Sequence, residues 1–268
     1  MAHRFEKGDG NVKGSHGGPF APDRALCPEC LKEIFDSRNR RHRYPFTCCG
    51  KCGPRYSVTV RAPFERANST MAPFPMCGAC RREYQDPKSR RHQAPLISCP
   101  ECGPLHWIEP APPSSSSADV IYEVAQLLKA GKILAIKGIG GFHLACRADD
   151  EELVQRLRRR IQRRTKPMAV MVPDLDWARR VCNLNPSARG KLKDLSAPIV
   201  LAPKRQPEVL ARSIAPESPD YGLALPSTPF RHLLMDTLQL PLVMTASAFA
   251  GESIVASNED ARERLTDV

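Results

Sequence analysis

Eight of the eleven cysteines stand in four Cys-x-x-Cys pairs, and this arrangement constrains the fold more than any other feature of the sequence. Eighteen residues separate the first pair from the second, and eighteen separate the third from the fourth. A shift of 50 residues superimposes the first repeat (residues 27–54) on the second repeat (residues 77–104), so this region is a tandem duplication. The pairs are Cys27/Cys30, Cys49/Cys52, Cys77/Cys80 and Cys99/Cys102.

Two Cys-x-x-Cys turns together supply four sulfur ligands in a tetrahedron, which is the usual arrangement of a structural zinc site. The spacing predicts two zinc ions, most simply one per repeat. A site formed by the first Cys-x-x-Cys pair, or knuckle, together with the fourth stays open. Cys48 competes with Cys49 as a ligand, but its counterpart in the second repeat is Ser98, which favours Cys49. Four sulfur ligands leave no open position for chemistry, so a folding role is favoured over disulfide, catalytic or redox roles.

The chain is strongly basic, with a formal net charge of +11. Between Cys27 and Trp107 there are 14 Lys/Arg and 7 Asp/Glu residues. An Arg-Arg-His segment lies between the knuckles of each repeat, at Arg40 and at Arg90, where it can offset the negative charge of a zinc–thiolate centre. A basic zinc region also makes nucleic acid a possible partner, although aromatic residues are sparse and no finger of the two-cysteine, two-histidine type is present.

Membrane and secreted classes are disfavoured. No apolar run approaches the roughly 18 residues of a membrane span. The start of the chain is polar and rich in glycine, without the apolar segment of a secretory signal. We therefore expect a cytoplasmic location, where the cysteines stay reduced.

Changes in composition divide the chain into four segments. Residues 1–20 are a polar N-terminal tail, 21–109 a small irregular double zinc-knuckle domain, and 110–117 a linker of proline and serine. Residues 118–268 show alternating helix and strand signals, which predict an α/β domain. Because its last helical pattern has only begun when the chain stops, we expect a C-terminally truncated domain.

Hydrophobic periodicity locates the elements of the α/β domain. The segment 149–164 begins with acidic residues and ends with arginines, which suits a helix because it complements the helix dipole, and Pro167 is the expected stop. The predicted helices are 119–129, 149–164, 175–182, 229–238 and one starting at 258, and the predicted strands are 132–137, 168–172, 198–201, 222–225 and 242–245.

The cysteine spacing, read with its surroundings, resembles the HypF carbamoyltransferase family. In the zinc region the similarity rests on residues 22–23, 27–36, 43–46, 53–56, 68–71, 74–77, 83–86 and 94–104. It continues through residues 137–146, 166–171, 197–201, 225–226, 228–229 and 251–252 of the second half, which is similar to the YrdC-like domain of that family. The resemblance implies a twisted mixed sheet with flanking helices.

The resemblance also implies an activity. HypF-type enzymes use carbamoyl phosphate and ATP with Mg²⁺ to make carbamoyl-adenylate, and pass the carbamoyl group to the C-terminal cysteine of HypE during [NiFe]-hydrogenase maturation. The family's acylphosphatase-like and ATPase-like domains have no counterpart in this sequence. A HypE-like protein is thus the implied partner, and adenylation is the half-reaction expected of this chain.

Adenylation joins two anions, so its site needs fixed cations and backbone donors. Lys137 ends a predicted strand and opens a turn containing Gly140 and Gly141, whose backbone can approach a phosphate closely. His143 follows, although a lone histidine is more often a packed residue than a ligand. The family motif adds five further positions across the domain, so the expected nucleotide-binding set is Lys137, Gly140, Gly141, His143, Arg160, Arg163, Lys166, Thr245 and Ser247.

Three departures from the family pattern predict impaired adenylation, and no catalytic residue is assigned. The usual Lys-x-Arg-Pro is replaced at 161–164, Thr-Ser-Gly-Asn is replaced at 245–248, and Arg147 stands where aspartate is usual. The alternative function is a zinc-containing module that binds RNA, double-stranded RNA included, joined to an inactive YrdC-like domain. A threonylcarbamoyl-adenylate synthase is a third reading, which the double zinc repeat disfavours.

Overall fold

The computed structural model describes residues 21–110, 117–247 and 253–266. The predicted polar tail, most of the predicted linker and the family positions 248 and 251–252 lie outside these residues. The four-segment division of the chain therefore stays a prediction at its boundaries.

The zinc region contains little regular structure, as the sequence predicts. Helices α1 (Pro28–Phe35) and α2 (Gly78–Gln85) each begin directly after the first cysteine of a repeat, and Cys27 and Cys77 are their N-cap residues. The remainder is turns and two short 3₁₀ segments. Because the region builds only a small apolar core, it depends on its cysteines for stability.

The second half forms one six-stranded mixed sheet in the order β1-β2-β6-β3-β5-β4. Only the β3–β5 pair is parallel, and the other four neighbouring pairs are antiparallel. This architecture confirms the predicted fold class. The strands are β1 (Leu134–Gly138), β2 (Gly141–Arg147), β3 (Ala169–Met171), β4 (Val200–Pro203), β5 (Asp220–Ala224) and β6 (Leu242–Ala246).

Helices cover both faces of the sheet. On one face, α3 and α7 pack over Ile136, Ala145 and Leu242. On the other, α4 supplies Leu153, Val154 and Leu157 to a larger core. The helices are α3 (Ser117–Lys129), α4 (Glu151–Arg160), α5 (Leu175–Val181), α6 (Pro186–Leu192), α7 (Pro229–Leu238) and α8 (Asn258–Arg264).

The zinc region packs against the outer side of α3 and α7. Ile121 of α3 and Leu233 of α7 are fully buried in a cluster shared with Leu26 and the first-repeat cysteines. The Leu26 amide donates to the Ser227 carbonyl at 2.9 Å. These two helices therefore bury one side against the sheet and the other against the zinc region.

One strand and one α-helix described in the α/β domain have no counterpart among the predicted elements. The strand is β2, which follows the glycines and pairs with β1 to form a tight hairpin. Helix α6 also went unpredicted, although Asn185 caps it through the Ala188 amide and Pro186 stands at its first turn.

Helix α4 ends at Arg160, earlier than the predicted stop at Pro167. The reason is a contact that periodicity does not reveal. The buried Arg158 guanidinium donates to the carbonyls of Arg163, Arg164 and Lys166 at 3.0–3.1 Å, so the chain folds back over the helix end. Gln162 adopts a left-handed conformation with φ of 52° at this reversal.

Candidate metal centres and adjoining cleft

The eight knuckle cysteines gather into two clusters. The first cluster is Cys27, Cys30, Cys49 and Cys52, the second is Cys77, Cys80, Cys99 and Cys102, and within each all four sulfurs lie within 4.8 Å of one another. Each cluster draws on one repeat, in the sequential arrangement that was the simpler of the two open pairings.

The sulfur spacing fits zinc. Zinc–sulfur bonds of about 2.3 Å in a tetrahedron place neighbouring sulfurs roughly 3.8 Å apart. In the first cluster the Cys27–Cys49 and Cys49–Cys52 sulfurs are 3.8 and 3.7 Å apart. In the second, the Cys80–Cys102 and Cys99–Cys102 sulfurs are 3.6 and 3.8 Å apart. Both clusters therefore match a closed four-sulfur site.

Local structure holds the sulfurs in place. The first two cysteines of each repeat lie at the N-terminus of α1 or α2, so one turn of helix fixes their sulfurs relative to each other. The Lys51 amide donates to the Cys49 sulfur at 3.4 Å. Cys48 lies outside the cluster, with its sulfur 3.8 Å from the Leu96 carbonyl oxygen, and burial raises the pKa of this thiol to about 12.

Arginines neutralise the clusters across the two repeats. Arg40 of the first repeat donates to the Cys80 sulfur of the second at 2.7 Å, and Arg90 of the second donates to the Cys30 sulfur of the first at 3.4 Å. The sequence predicted charge compensation by these segments, but did not reveal that each segment serves the opposite repeat.

Arg41 and Arg91, the residues that follow Arg40 and Arg90, also contact the opposite repeat. Arg41 donates to the Ser98 carbonyl at 2.8 Å, and Arg91 donates to the equivalent Cys48 carbonyl at 2.9 Å. Both side chains are buried and also pair with glutamates. Burial opposes ionisation of Glu33, but its bonds to Arg91 and Arg90 outweigh burial and hold the pKa of this carboxyl below its usual value.

A second group of predicted residues meets at one end of the sheet. Lys137, Phe142 and Ser247 form a row across β1, β2 and the end of β6, since Lys137 pairs with Phe142 and the Ser247 amide donates to the Phe142 carbonyl at 3.1 Å. The Lys137 ammonium lies 5.5 Å from the Phe142 ring centroid and donates to the Asn258 side chain at 2.6 Å. Burial lowers the pKa of Lys137.

Arg163 reaches this row from the reversal after α4. Its guanidinium donates to the Thr245 hydroxyl at 3.4 Å. Thr245 precedes Ser247 by two strand positions, so its side chain lies on the same face of the sheet as that of Lys137. The Ser247 hydroxyl is buried and has no hydrogen-bond partner among the described residues. Lys137, Thr245 and Ser247 thus lie on one face at this end of the sheet, with Arg163 bonded to Thr245, and we name this region the candidate cleft. Its cations and hydroxyls suit a phosphorylated ligand.

The glycine turn (residues 138–141) follows Lys137 directly, and its backbone restricts which residues can stand at positions 140 and 141. Gly140 has φ of +88° and Gly141 φ of +156°, which favour glycine. A Cβ on Gly141 would lie 2.8 Å from the Ile254 side chain and 3.0 Å from the Val255 carbonyl oxygen. Both predicted glycines are therefore required by the local backbone.

Three predicted residues are not brought onto this row. Strand alternation turns His143 to the opposite face, towards α7, where its buried Nδ1 has no hydrogen-bond partner among the described residues. Burial and the nearby Arg231 lower the pKa of His143. Lys166 is exposed, and Arg160 donates to the Arg264 carbonyl at 3.4 Å.

Arg147, one of the departures from the family pattern, lies away from the glycine turn. It is at the far end of β2 and forms two hydrogen bonds with Asp149, at 2.9 and 3.0 Å. Its charge is therefore satisfied locally.

Arg158 is the important residue that sequence reasoning missed. The sequence pattern placed it among the arginines at the end of a predicted helix, yet it is only 7% exposed and holds the backbone that carries Arg163. A signal was present, because Arg158 follows Val154 by four residues and so falls on the buried stripe of the helix.

Protein-family models match both halves of the chain. The HypF finger model matches residues 26–59 and 76–109, one match per repeat. The Sua5/YciO/YrdC model, described as telomere recombination, matches residues 126–268, more than half of the chain. The chain is therefore a YrdC-like α/β protein preceded by a duplicated zinc finger, and it belongs to the Sua5/YciO/YrdC family.

Curated relatives and solved structures confirm the resemblance to HypF. The chain is 47% identical to carbamoyltransferase HypF of Rhodobacter capsulatus over 91% of its own length, and 45% identical to that of Synechocystis over 96%. It matches full-length HypF in the phosphate- and nucleotide-bound form with a TM-score of 0.87 and 43% identity over 93% of its length. The corresponding values for T. kodakarensis HypF are 0.89, 38% and 95%.

The match is to a part of these proteins. The chain spans 32% and 34% of the two curated relatives and 33% of each of the two solved chains. Among the described residues, no helix combines the length and apolar character needed to cross a bilayer.

Proposed function

We propose that this chain is the zinc-binding and adenylate-forming part of a HypF-type carbamoyltransferase. The observation that carries the proposal is the placement of Lys137 and Thr245 on one face of the sheet, with Arg163 bonded to Thr245 and the glycine turn following Lys137 directly. Support comes from the similarity to a HypF whose structure contains phosphate and nucleotide. ATP with Mg²⁺ occupies this cleft, with the triphosphate against the two cations.

The cleft residues act by positioning and by charge. A carbamate oxygen attacks the α-phosphorus of ATP, a new oxygen–phosphorus bond forms, and pyrophosphate leaves with the electron pair of the broken bond. Lys137 and Arg163 offset the negative charge that develops in this step, and the glycine turn supplies backbone amides. Thr245 and Ser247 provide hydroxyls for the nucleotide or the carbamate.

The eight clustered cysteines hold two zinc ions in this proposal. Their role is to fold the zinc region, because each site is filled by four sulfurs and surrounded by arginines. The thiolates need a reducing setting, so a cytoplasmic location belongs to the same proposal.

Carbamoyl phosphate and a HypE-like partner belong to the complete reaction. The relatives are three times as long as this chain, so cleavage of carbamoyl phosphate and transfer to a partner's cysteine are assigned to the remainder of a full-length protein. Carbamate reaches the present cleft only as the product of that first cleavage.

Titration calorimetry with ATP and Mg²⁺ tests the nucleotide site. We expect binding, and an increase in Kd of roughly 10-fold in Arg163→Ala or Lys137→Ala, since each loses one charge-assisted contact. Arg179→Ala is the matched control, because Arg179 is exposed and pairs with Asp176 on α5. Absence of heat at millimolar ATP would reject the proposed site.

An RNA-binding module remains the second candidate, motivated by the basic zinc region. Its charge is less available than the sequence suggests, because Arg40, Arg41, Arg90 and Arg91 are engaged with thiolates and glutamates. A gel shift with tRNA over a range of salt concentrations distinguishes the two functions, since phosphate contacts make affinity fall steeply with salt.

A further inference from the structure

One loop of the zinc region is locked by a carboxylate that no zinc role requires. Asp23 accepts hydrogen bonds from the Arg55 amide at 2.7 Å and the Ser57 amide at 3.2 Å. Its second oxygen accepts the hydroxyl of Ser57. These bonds fix the first-repeat loop (residues 55–58), which contains a 3₁₀ turn.

The first cysteine cluster fixes the position of this loop. Gly53 follows Cys52 directly and exchanges two backbone hydrogen bonds with Arg24, at 3.0 and 3.1 Å. This bridge brings Asp23 beside the loop. The path from cluster to loop is therefore only a few residues long.

The locked loop lies against the glycine turn of the α/β domain. A Cβ built on Gly140 would be 3.9 Å from the Ser57 hydroxyl oxygen, an ordinary van der Waals distance. Because Gly140 has no side chain, its backbone has access to more conformations than that of other residues, and its φ of +88° is one that favours glycine. A rigid neighbour at this distance limits how far the turn can move outwards.

The second repeat cannot make the equivalent contact. The 50-residue shift places Pro73 at the position of Asp23, and Leu105 to Trp107 at the positions of Arg55 to Ser57. No carboxylate, amide–carboxylate pair or hydroxyl is retained there. The two repeats otherwise correspond closely through Gly103 and Pro104, so their divergence coincides with the loop that touches the glycine turn.

We propose that the first repeat forms a wall of the phosphate-binding cleft, in which Asp23 and Ser57 are positioning residues that hold the glycine turn in its binding conformation. The wall affects binding of the nucleotide triphosphate by restraining Gly140, and it does not itself contact the nucleotide. The inference deepens the proposed function and rests on it for the identity of the ligand. The proximity of Ser57 to Gly140 is independent of any ligand.

Hydrogen exchange of the zinc-loaded protein tests the wall without ATP. In Asp23→Ala and Ser57→Ala, we expect the amides of residues 138–141 to exchange about 10-fold faster, because local opening becomes easier. Zinc content should stay at two ions per chain, and Ser57→Thr, which keeps the hydroxyl, should restore slow exchange. Asp86→Ala is the control, because Asp86 accepts only an amide bond of its own turn in the second repeat.

Calorimetry with ATP and Mg²⁺ is the second measurement. Both alanine variants should raise Kd by roughly 5-fold, and Ser57→Thr should stay near the wild-type value. Unchanged exchange at 138–141 in both zinc-loaded alanine variants overturns the wall. Faster exchange in a protein that binds no ATP supports the wall and rejects the proposed function, so the two failures are distinguishable.

Discussion

The guanidinium of Arg40 donates a hydrogen bond of 2.7 Å to the sulfur of Cys80, although the two residues belong to different zinc repeats. Arg90 makes the reciprocal contact with Cys30 at 3.4 Å. Each repeat thus supplies its own four sulfurs and receives its compensating charge from the other. The duplication is therefore a single interlocked unit, and neither repeat is electrostatically complete alone.

Replacing Arg40 should weaken metal binding in the repeat that does not contain it. Arg40→Met removes a charge-assisted bond to Cys80, so we expect the second cluster to lose roughly 10-fold in zinc affinity, while the first is little changed. Cadmium NMR of the substituted protein separates the two sites during chelator competition. Arg38→Ala is the control, because its side chain is 91% exposed. A loss of zinc affinity confined to the first cluster would contradict charge compensation of each cluster by the opposite repeat.

Cys48 and Cys49 are adjacent and should behave differently. Cys49→Ser should reduce bound zinc from two ions to one, because a hydroxyl is a poor substitute for a thiolate ligand. Cys48→Ser should retain both ions, since Cys48 is outside the cluster and the second repeat already has serine at this position. Elemental analysis of purified protein measures both, and zinc loss in Cys48→Ser would mean that the ligand assignment is wrong.

Arg158→Ala should destabilise the α/β domain. The substitution removes the guanidinium donor from five backbone carbonyls, those of residues 163, 164, 166, 213 and 214, of which the last keeps the Met168 amide. We expect a loss of about 3 kcal/mol in the free energy of unfolding, measured by urea titration of the zinc-loaded protein. Arg159→Ala, one position along the same helix but exposed, should change stability by about 0.5 kcal/mol or less. Equal losses of stability in Arg158→Ala and Arg159→Ala would show that the buried hydrogen bonds of Arg158 do not stabilise the domain.

His232 should make stability fall in mild acid. Burial lowers the pKa of His232 from 6.5 to about 4, so between these values the unfolded chain binds a proton that the folded chain does not. Stability therefore rises with pH across this window, and the contribution is lost as the pH falls from 6.5 towards 4. Because thiolate protonation also acts there, the test is the difference between wild type and His232→Gln. Parallel pH profiles would show that His232 titrates normally.

Local features of the α/β domain were largely predictable. The helices at Leu175–Val181 and Pro229–Leu238 match their predicted ranges within a residue, since Asp174 and Thr228 are readable caps and the apolar spacing is regular. The strand after Gly141 was not predicted, because the same apolar residues belong to a family motif and are compatible with a buried strand. The early end of α4 was missed because its cause, Arg158, acts through the tertiary fold.

The candidate cleft was also predictable only in its local features. Lys137, Gly140 and Gly141 were predicted as site residues from a short segment, and the structure gives the two glycines positive φ values, as a tight turn requires. The meeting of Arg163 with Thr245 joins positions 82 residues apart, which no local pattern encodes. The turning of His143 to the opposite face follows from strand alternation, which becomes usable only once β2 is known.

The sequence by itself determined that eight cysteines form four Cys-x-x-Cys ligand pairs, because such a turn is a local structure, while the structure decided that each cluster takes both of its pairs from one repeat. Only the tertiary structure decided that arginines cross between the repeats, that Arg158 carries the cleft backbone, and that Ser57 lies beside Gly140. These contacts depend on which surfaces pack together. Such packing is a property of the whole fold, since burial of one face has to be compatible with burial of every other.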